Sequence, residues 1–292
     1  MSIEEGVLYV VATPLGNLGD ISARAREVLD GVALIAAEDT RVAQRLLSHL
    51  GVQARCVSLH EHNEAARIPS ILQILSEGAS VALVSDAGTP LISDPGFRLV
   101  RAAREAGVRV SPVPGPSALI AALSVSGLPT DRFVFEGFLP SRSARRRARL
   151  QVLADESGTL VFYESSHRIA DSLEDMAAVF GDARLAVVAR ELTKRFEQVV
   201  SAPLGELRAW VRADEDHRRG EFVVMVAGLP PSARREPSGI SEAHVIEVLA
   251  RALPTRQAAD LAALITGGAR QGLYREAQRV KRDGGDPDVG GA

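Results

Sequence analysis

The sequence holds one cysteine in 292 residues, Cys56, so no internal disulfide can form, and a lone thiol fits a reducing compartment. Aromatic residues make up only 4%, too few for an extended base-stacking surface. Basic charge is not in excess either. Lys and Arg number 34 against 37 Asp and Glu, a formal net charge of −3, so attraction to nucleic acid has to come from a local patch. No apolar run approaches the roughly 18 to 20 residues that span a bilayer. The opening MSIEEGVLYVVATP has no basic leader ahead of its apolar run and does not read as a signal peptide. These absences together predict a cytoplasmic protein. Several ligand motifs are missing as well. The loop TPLGNLGD carries no GK[ST], and no GxGxxG occurs. PVPGPSAL is not a nucleophile elbow, because Pro116 and Leu119 break the GxSxG spacing. His60 and His62 stand at i and i+2 without a third ligand nearby, and no metal is expected.

What is present is a globular composition, 46% hydrophobic and 24% charged, and enough chain for two domains. The organising stretch is VALVSDAGTPLISDPG, residues 81–96. A buried-type strand empties into a loop rich in Gly and Pro, which brings bare backbone close to a ligand that side chains would crowd. VRVSPVPGPSALIAAL repeats the switch, with a helix opening at Ser117. Around these, apolar runs at Val7–Ala12 and Val32–Ala36, and a short strand with a polar loop at 57–64, alternate with helical stretches at Ala23–Leu29, Val42–Leu50 and Ile68–Glu77. That alternation predicts a mostly parallel sheet covered on both faces, in a domain spanning 6–128. From 131 to 229 the runs FVFEGFLP, TLVFYESS, ARLAVVAREL, FEQVVSAPLGEL and GEFVVMVAGL read as strands, with one helix from His167 to Phe180. Strands in succession predict a second α/β domain of antiparallel character. Residues 230–240 read as a linker and 241–282 as three short helices, the second capped by Thr255. Residues 283–292 read as a disordered tail.

Seven motifs in order, ATPLGNLGDIS, AAEDTR, SDAGTPLISDPG, PVPGPSAL, SGLPTDRF, FYESSHRI and ARELTKRFE, resemble the tetrapyrrole-methylase superfamily. Within it they resemble most closely the branch of 16S rRNA cytidine 2′-O-methyltransferases. The likeness runs from about residue 7 to 228 and extends to the C-terminal helical segment. One departure from the porphyrin-methylating members is the first loop, TPLGN in place of a GxGPGD type. The resemblance implies two α/β domains with S-adenosylmethionine, the methyl donor, in the interdomain cleft, and a homodimer. It also implies 16S rRNA as partner, within the small ribosomal subunit, the acceptor being a cytidine ribose (cytidine 1402) of the decoding region. Alternatives are a tetrapyrrole C-methyltransferase, which should lack the Arg-rich insertion and helical tail, and a non-catalytic ribosome-binding protein, which should have lost the donor-loop glycines and Ser117.

Donor contacts expected from the resemblance are Leu15, Asp86, Ala87, Gly88, Ser117, Ala118, Glu164 and Leu192, with Pro90 holding its loop in shape. A bland reading stands beside each group: a tight turn for 85–96, ordinary N-capping for Ser117, and backbone rather than side-chain contact for Glu164 and Leu192. Gly16 and Asn17 could instead approach the acceptor. Removing a ribose proton asks for a base, or for positioning and water exclusion in its place. Glu38, Asp39, His60 and Glu191 are the candidates, and sequence does not choose among them. Arg190 and Glu191 could equally pair with Glu38, Asp39 or Arg41. The best nucleic-acid feature is SRSARRRARL, five Arg between positions 142 and 149. Arg142, Arg145, Arg146 and Arg147, with Arg41 and Lys194, form the expected RNA-binding set. The opposing reading is a solvated helix face paired with acids around Asp155 and Glu156. The 255–281 helices, with Arg256, Arg270, Arg275, Arg279 and Lys281, resemble a helix-turn-helix pair that grips rRNA, or a flexible appendage.

Overall fold

A computed structural model of the chain describes residues 3–230 and 241–283; the expected linker beyond Pro230 and the expected tail beyond Asp283 lie outside the described residues. Two compact units divide the chain at Leu229. The first unit opens with β1 (Val7–Val11), α1 (Ala23–Gly31), β2 (Leu34–Ala37), α2 (Thr40–Leu50), β3 (Cys56–Ser58), α3 (Glu64–Ser76), β4 (Val81–Val84), α4 (Phe97–Glu105) and β5 (Arg109–Val113). The strands form an all-parallel sheet in the order β3-β2-β4-β1-β5. β2 and β4 are buried along their whole length, which explains why they read as unbroken apolar runs. Val7, Tyr9 and Val11 pack against α1 and α2, while Leu8 of the same strand packs on the other face with α3 and α4. Pro112, which has no N–H to donate, sits in the edge strand β5.

α3 begins at Glu64, four residues before the expected Ile68, and carries Pro69 inside it. The earlier start has a tertiary cause. Glu64 is only 4% exposed, and its Oε1 accepts the N–H of Leu99 at 2.9 Å. Leu99 is in the first turn of α4, whose N-cap, Gly96, has no side chain to satisfy it.

After α5 (Ala118–Ser126) the chain builds β6 (Phe133–Phe138), α6 (Ser143–Val152), β7 (Thr159–Ser165), α7 (Ile169–Phe180), β8 (Leu185–Arg190), β9 (Gln198–Pro203), α8 (Leu204–Ala213) and β10 (Glu221–Val226). The second sheet has the order β6-β7-β10-β8-β9; β6 and β7 are parallel and the other pairs antiparallel. One face packs under α6, α7 and α8. The other is covered by Leu119, Ala122 and Leu123 of α5. α8 corrects the strand reading of FEQVVSAPLGEL. Pro203 ends β9, and Leu204, Leu207 and Val211 recur at helical spacing and are fully buried.

The second unit packs α9 (Glu242–Ala252), α10 (Thr255–Thr266) and α11 (Arg270–Asp283) around Ile246, Ala258, Ala262 and Ala277. Thr255 is the first helical residue of α10 rather than its cap, a position taken by Pro254. No described helix is long and apolar enough to cross a membrane.

Candidate active site

In the parallel sheet β1 and β4 are neighbours whose continuing chains leave in opposite directions, β1 toward β2 and β4 toward β5. Ligands of open parallel sheets sit at the carboxyl ends of the strands at such a reversal. The two loops that emerge there are TPLGN after β1 and SDAGTPLISDPG after β4. They are stitched together: Thr13 and Gly88 exchange both backbone hydrogen bonds, at 2.9 and 3.0 Å. The Thr89 hydroxyl donates to the Pro116 carbonyl at 3.0 Å, tying in the loop that leads to α5.

These loops and the upper edge of the second sheet enclose a cleft of about 440 Å³, within the roughly 300–1,000 Å³ of small-molecule sites. Of the nine expected donor contacts, eight line it: Leu15, Asp86, Ala87, Gly88, Ser117, Ala118, Glu164 and Leu192. Pro90 is buried beneath its loop and is not in the lining. The backbone of Gly88 is committed to Thr13, so this residue offers bare surface rather than a free amide. Glu164 turns its carboxylate away from the cleft. Its oxygens accept from the Ser165 N–H and the Ser172 hydroxyl, and Arg168 lies 3.4 Å off. Ser117 makes no capping bond, while the next amide but one, Leu119, donates to the Tyr163 hydroxyl at 3.1 Å. The amides of Ser117 and Ala118 therefore stay available at a helix N-terminus, where a carboxylate or ribose oxygen is favoured.

Three of the carboxylates that line the cleft are raised above their ordinary range. Burial pushes Asp94 up to about 6, with the charge of Asp86 adding to it and a hydrogen bond from Ser85 opposing it. Glu38 is raised by burial and by Asp94 and Asp86. Asp86 is raised by burial against the Asp39 N–H, which its Oδ1 accepts at 2.9 Å. Raised carboxyls sharing one cleft lower their energy by receiving a cation.

Glu38 is the one expected base that lines this cleft. Asp39 instead caps α2, its Oδ1 accepting the Arg41 N–H at 2.8 Å. Glu191 is corrected too. It accepts from Lys194 at 2.8 Å and from the Glu221 N–H at 3.0 Å. Burial would raise its pKa, but these bonds and the neighbouring charges hold it below the usual carboxylate range. His60 lies outside the lining, its Nε2 3.1 Å from the Asn63 amide nitrogen. The suggested pairing of Arg190 with Glu38 or Asp39 is replaced by bonds to the Arg219 carbonyl and Gln198. Sequence reasoning passed over Asp94, because an Asp before Pro-Gly reads as a turn former. Among the described residues, four non-glycine residues have positive φ: Leu91 (74°), Ser93 (69°), Glu191 (51°) and Thr193 (66°). All four sit in the loops after β4 and β8, and strain of this kind gathers at functional sites.

Of the expected RNA-binding set, Arg146 is removed by the structure. It is 3% exposed, bonded to Asp175 at 2.7 Å and directed at the Ser141 carbonyl. A buried pair of this kind holds α6 against α7. Arg147 shares Asp175 at 2.5 Å but stays half-exposed, and Arg149 grips Glu136 with two bonds. The acids that answer the Arg run are therefore Asp175 and Glu136, not Asp155 and Glu156. Arg41, Arg142 and Arg145 are exposed. Lys194 bonds Glu191 and Glu221, and its stem crosses so close to Gly16 that a Cβ there would lie 2.4 Å from it. In the second unit Arg270 pairs with Asp260 and Arg279 with Glu276, while Arg256, Arg275 and Lys281 remain exposed.

Residues 7–208 match the model of the tetrapyrrole (corrin/porphyrin) methylases. The chain belongs to this family. Residues 240–281 match a second model, the RsmI C-terminal HTH domain. The methylase is 56% identical over 270 residues to ribosomal RNA small subunit methyltransferase I of Xylella fastidiosa, covering 92% of this chain and 98% of that one. Against the protein of the same name from Escherichia coli O157:H7 the identity is 53% over 273 residues, with 94% and 95% covered. It therefore stands with the ribosomal RNA small subunit methyltransferase I proteins and is an enzyme of the methyltransferase class. Among solved structures it resembles a cobalamin-biosynthetic cobalt precorrin-4 methyltransferase (TM-score 0.57, 17% identity, 76% and 95% covered). A uroporphyrin-III-C-methyltransferase from Thermus thermophilus is also similar (TM-score 0.51, 20% identity, 76% and 94% covered). At those identities the likeness is one of fold, and the two-sheet architecture is the shared part.

Proposed function

We propose that this methylase transfers the methyl group of S-adenosylmethionine to the 2′-oxygen of a cytidine ribose in the decoding region of 16S rRNA, cytidine 1402, working as a homodimer on the small ribosomal subunit. One observation carries the reading. A backbone-lined cleft edged by Glu38, Asp86 and Asp94 lies at the reversal point of the parallel sheet, in a chain whose relatives are named for the small-subunit RNA.

When bound, S-adenosylmethionine supplies a methyl group on a positively charged sulfur, open to in-line attack by an oxygen. The raised carboxylates of Glu38, Asp86 and Asp94 favour a cation in the cleft. The free amides of Ser117 and Ala118 suit the carboxylate of the donor's amino-acid end. Loop amides and carbonyls around Ala87 and Leu192 suit the adenosine, and Leu15 closes the apolar side. The ribose proton passes to a carboxylate of this chain, Asp94 or Glu38. Asp94 near 6 is mostly ionised at pH 7.5 while remaining a better acceptor than an ordinary Asp. Arg41, Arg142, Arg145 and Arg147 offer guanidinium groups for phosphate.

The test is methyl transfer from labelled S-adenosylmethionine to small subunits that lack the modification, with nuclease mapping of the product. Label on a single cytidine ribose is the expected result. Donor binding in calorimetry with no incorporation would keep the donor site and move the acceptor elsewhere.

A further inference from the structure

Phe138 ends β6, lines the cleft and is 54% exposed. A single exposed phenylalanine is ordinary on a protein surface. Three features set this one apart.

The first is how it reaches the cleft. β6 pairs with β7 in register at Phe135↔Val161, then resumes at Gly137↔Phe162 and Phe138↔Tyr163, with Glu136 as the extra residue. Side chains alternate along a strand, so one inserted residue reverses the facing of everything after it. Without the bulge Phe138 would stand opposite Glu164, on the side of Phe162, which is buried under α6, α7 and α8. With it, Phe138 stands beside Tyr163, on the cleft side. The bulge is built to last. Gly137 has φ 65°, and a Cβ on it would come within 2.8 Å of the Ser93 hydroxyl. Glu136 is clamped by Arg149 at 2.7 and 2.9 Å.

The second feature is rigidity. Tyr163 meets Phe138 edge-on at 5.8 Å and Phe135 at 4.9 Å, and its hydroxyl is fixed by the Leu119 amide. The third is charge. Four residues on, Arg142 and Arg145 occupy the N-cap and first turn of α6, one helical turn apart, exposed and, among the described residues, without an acidic partner. Their neighbours Arg146, Arg147 and Arg149 are all paired.

We propose that Phe138 is a stacking platform for an unpaired nucleobase of the RNA at or beside the acceptor ribose, and that Arg142 and Arg145 hold the adjoining phosphates. This rests on RNA being the substrate. Proteins that bind unpaired RNA stack bases on aromatic rings and track the backbone with cations, and stacking tolerates any base. A rigid aromatic at the mouth of the donor cleft fits a base turned out of its own stack, which would bring its ribose toward the methyl group.

The experiment uses the full chain, unmodified small ribosomal subunits and S-adenosylmethionine, with Phe138→Ala, Phe138→Trp and the pair Arg142→Ala/Arg145→Ala. Phe138→Ala is expected to raise KM for subunits about tenfold, while the donor Kd in calorimetry stays within about twofold and Phe138→Trp keeps the wild-type KM. The Arg pair should lower the slope of log binding constant against log salt by roughly 0.7 for each phosphate that is no longer neutralised. A fall in donor affinity with Phe138→Ala would make Phe138 part of the donor site and overturn the proposal. An unchanged subunit KM would overturn it as well. If the wild-type enzyme binds donor yet methylates no subunit, the RNA reading itself fails, and the platform with it; the wild-type control separates that case from the other two.

Discussion

Replacing Asp94 with Asn separates what this carboxylate does for the fold from what it does for the reaction. In the folded chain burial and the charge of Asp86 push its pKa from 3.8 up to about 6. A carboxyl whose pKa is raised by folding leaves stability intact below pH 4, where folded and unfolded chains both carry the proton. Between about pH 4 and 6 the unfolded chain releases its proton and the folded one does not, so stability is lost across that window and stays lost above it. A shift of two units corresponds to roughly 3 kcal/mol, and solvent reaching this half-buried group cuts that to about 1 kcal/mol. Asn carries no charge to lose. Asp94→Asn should therefore stabilise the protein at pH 8 by about 1 kcal/mol, a rise of roughly 2–4 °C in Tm for a chain of this size, and leave it unchanged at pH 4. The methyl-transfer rate should move the opposite way, falling about 100-fold if Asp94 takes the ribose proton. Paired scanning calorimetry at pH 4 and pH 8, with single-turnover methylation at pH 8, reads both effects. A Tm gain of equal size at both pH values, or a loss at pH 8, would refute the electrostatic reasoning. An unchanged rate would remove Asp94 from the chemistry and leave Glu38.

Asp86→Arg places a cation where the cleft favours one from the donor, so calorimetric affinity for S-adenosylmethionine should fall at least about 100-fold with little change in unfolding midpoint; unaltered affinity would move the site. Asp175→Ala strands the guanidinium of Arg146 in the core and should cost about 3–5 kcal/mol in urea unfolding. Arg146→Met should leave the salt slope of RNA binding untouched, since that residue is buried. Glu64→Ala removes the acceptor for the Leu99 amide at the start of α4 and should cost about 1–2 kcal/mol, with Glu64→Gln recovering part of it; equal losses in the two variants would mean the carboxylate is not capping that helix.

Much of the architecture was legible because it obeys local periodicity. Val81–Val84 and Val32–Ala36 read as apolar strands since both faces of the sheet are covered, and TLVFYESS and GEFVVMVAGL likewise stood out as strands. The Gly/Pro loops pointed to one place in the fold, and eight of the nine residues expected there line a single cleft. Illegible were features whose reason lies far away in the chain. α3 starts early because Glu64 serves a helix 35 residues on. α8 was hidden because its three apolar anchors follow a strand without a polar break. Five arginines within eight residues looked alike, yet Asp175 in α7 buries one of them and Glu136 in β6 takes another.

The sequence by itself determined the fold class, the family likeness and the chemistry on offer: Gly/Pro loops for a small ligand, carboxylates, and a patch of arginine in a chain of negative net charge. These are properties of neighbours in sequence, carried by spacing and residue type. Tertiary structure decided which charges are paired, which candidate base lines the cleft, and on which side of its sheet Phe138 stands. Those depend on pairing register and on partners from distant segments: one bulged residue reverses a strand face, and one buried Asp turns an apparent RNA contact into a strut.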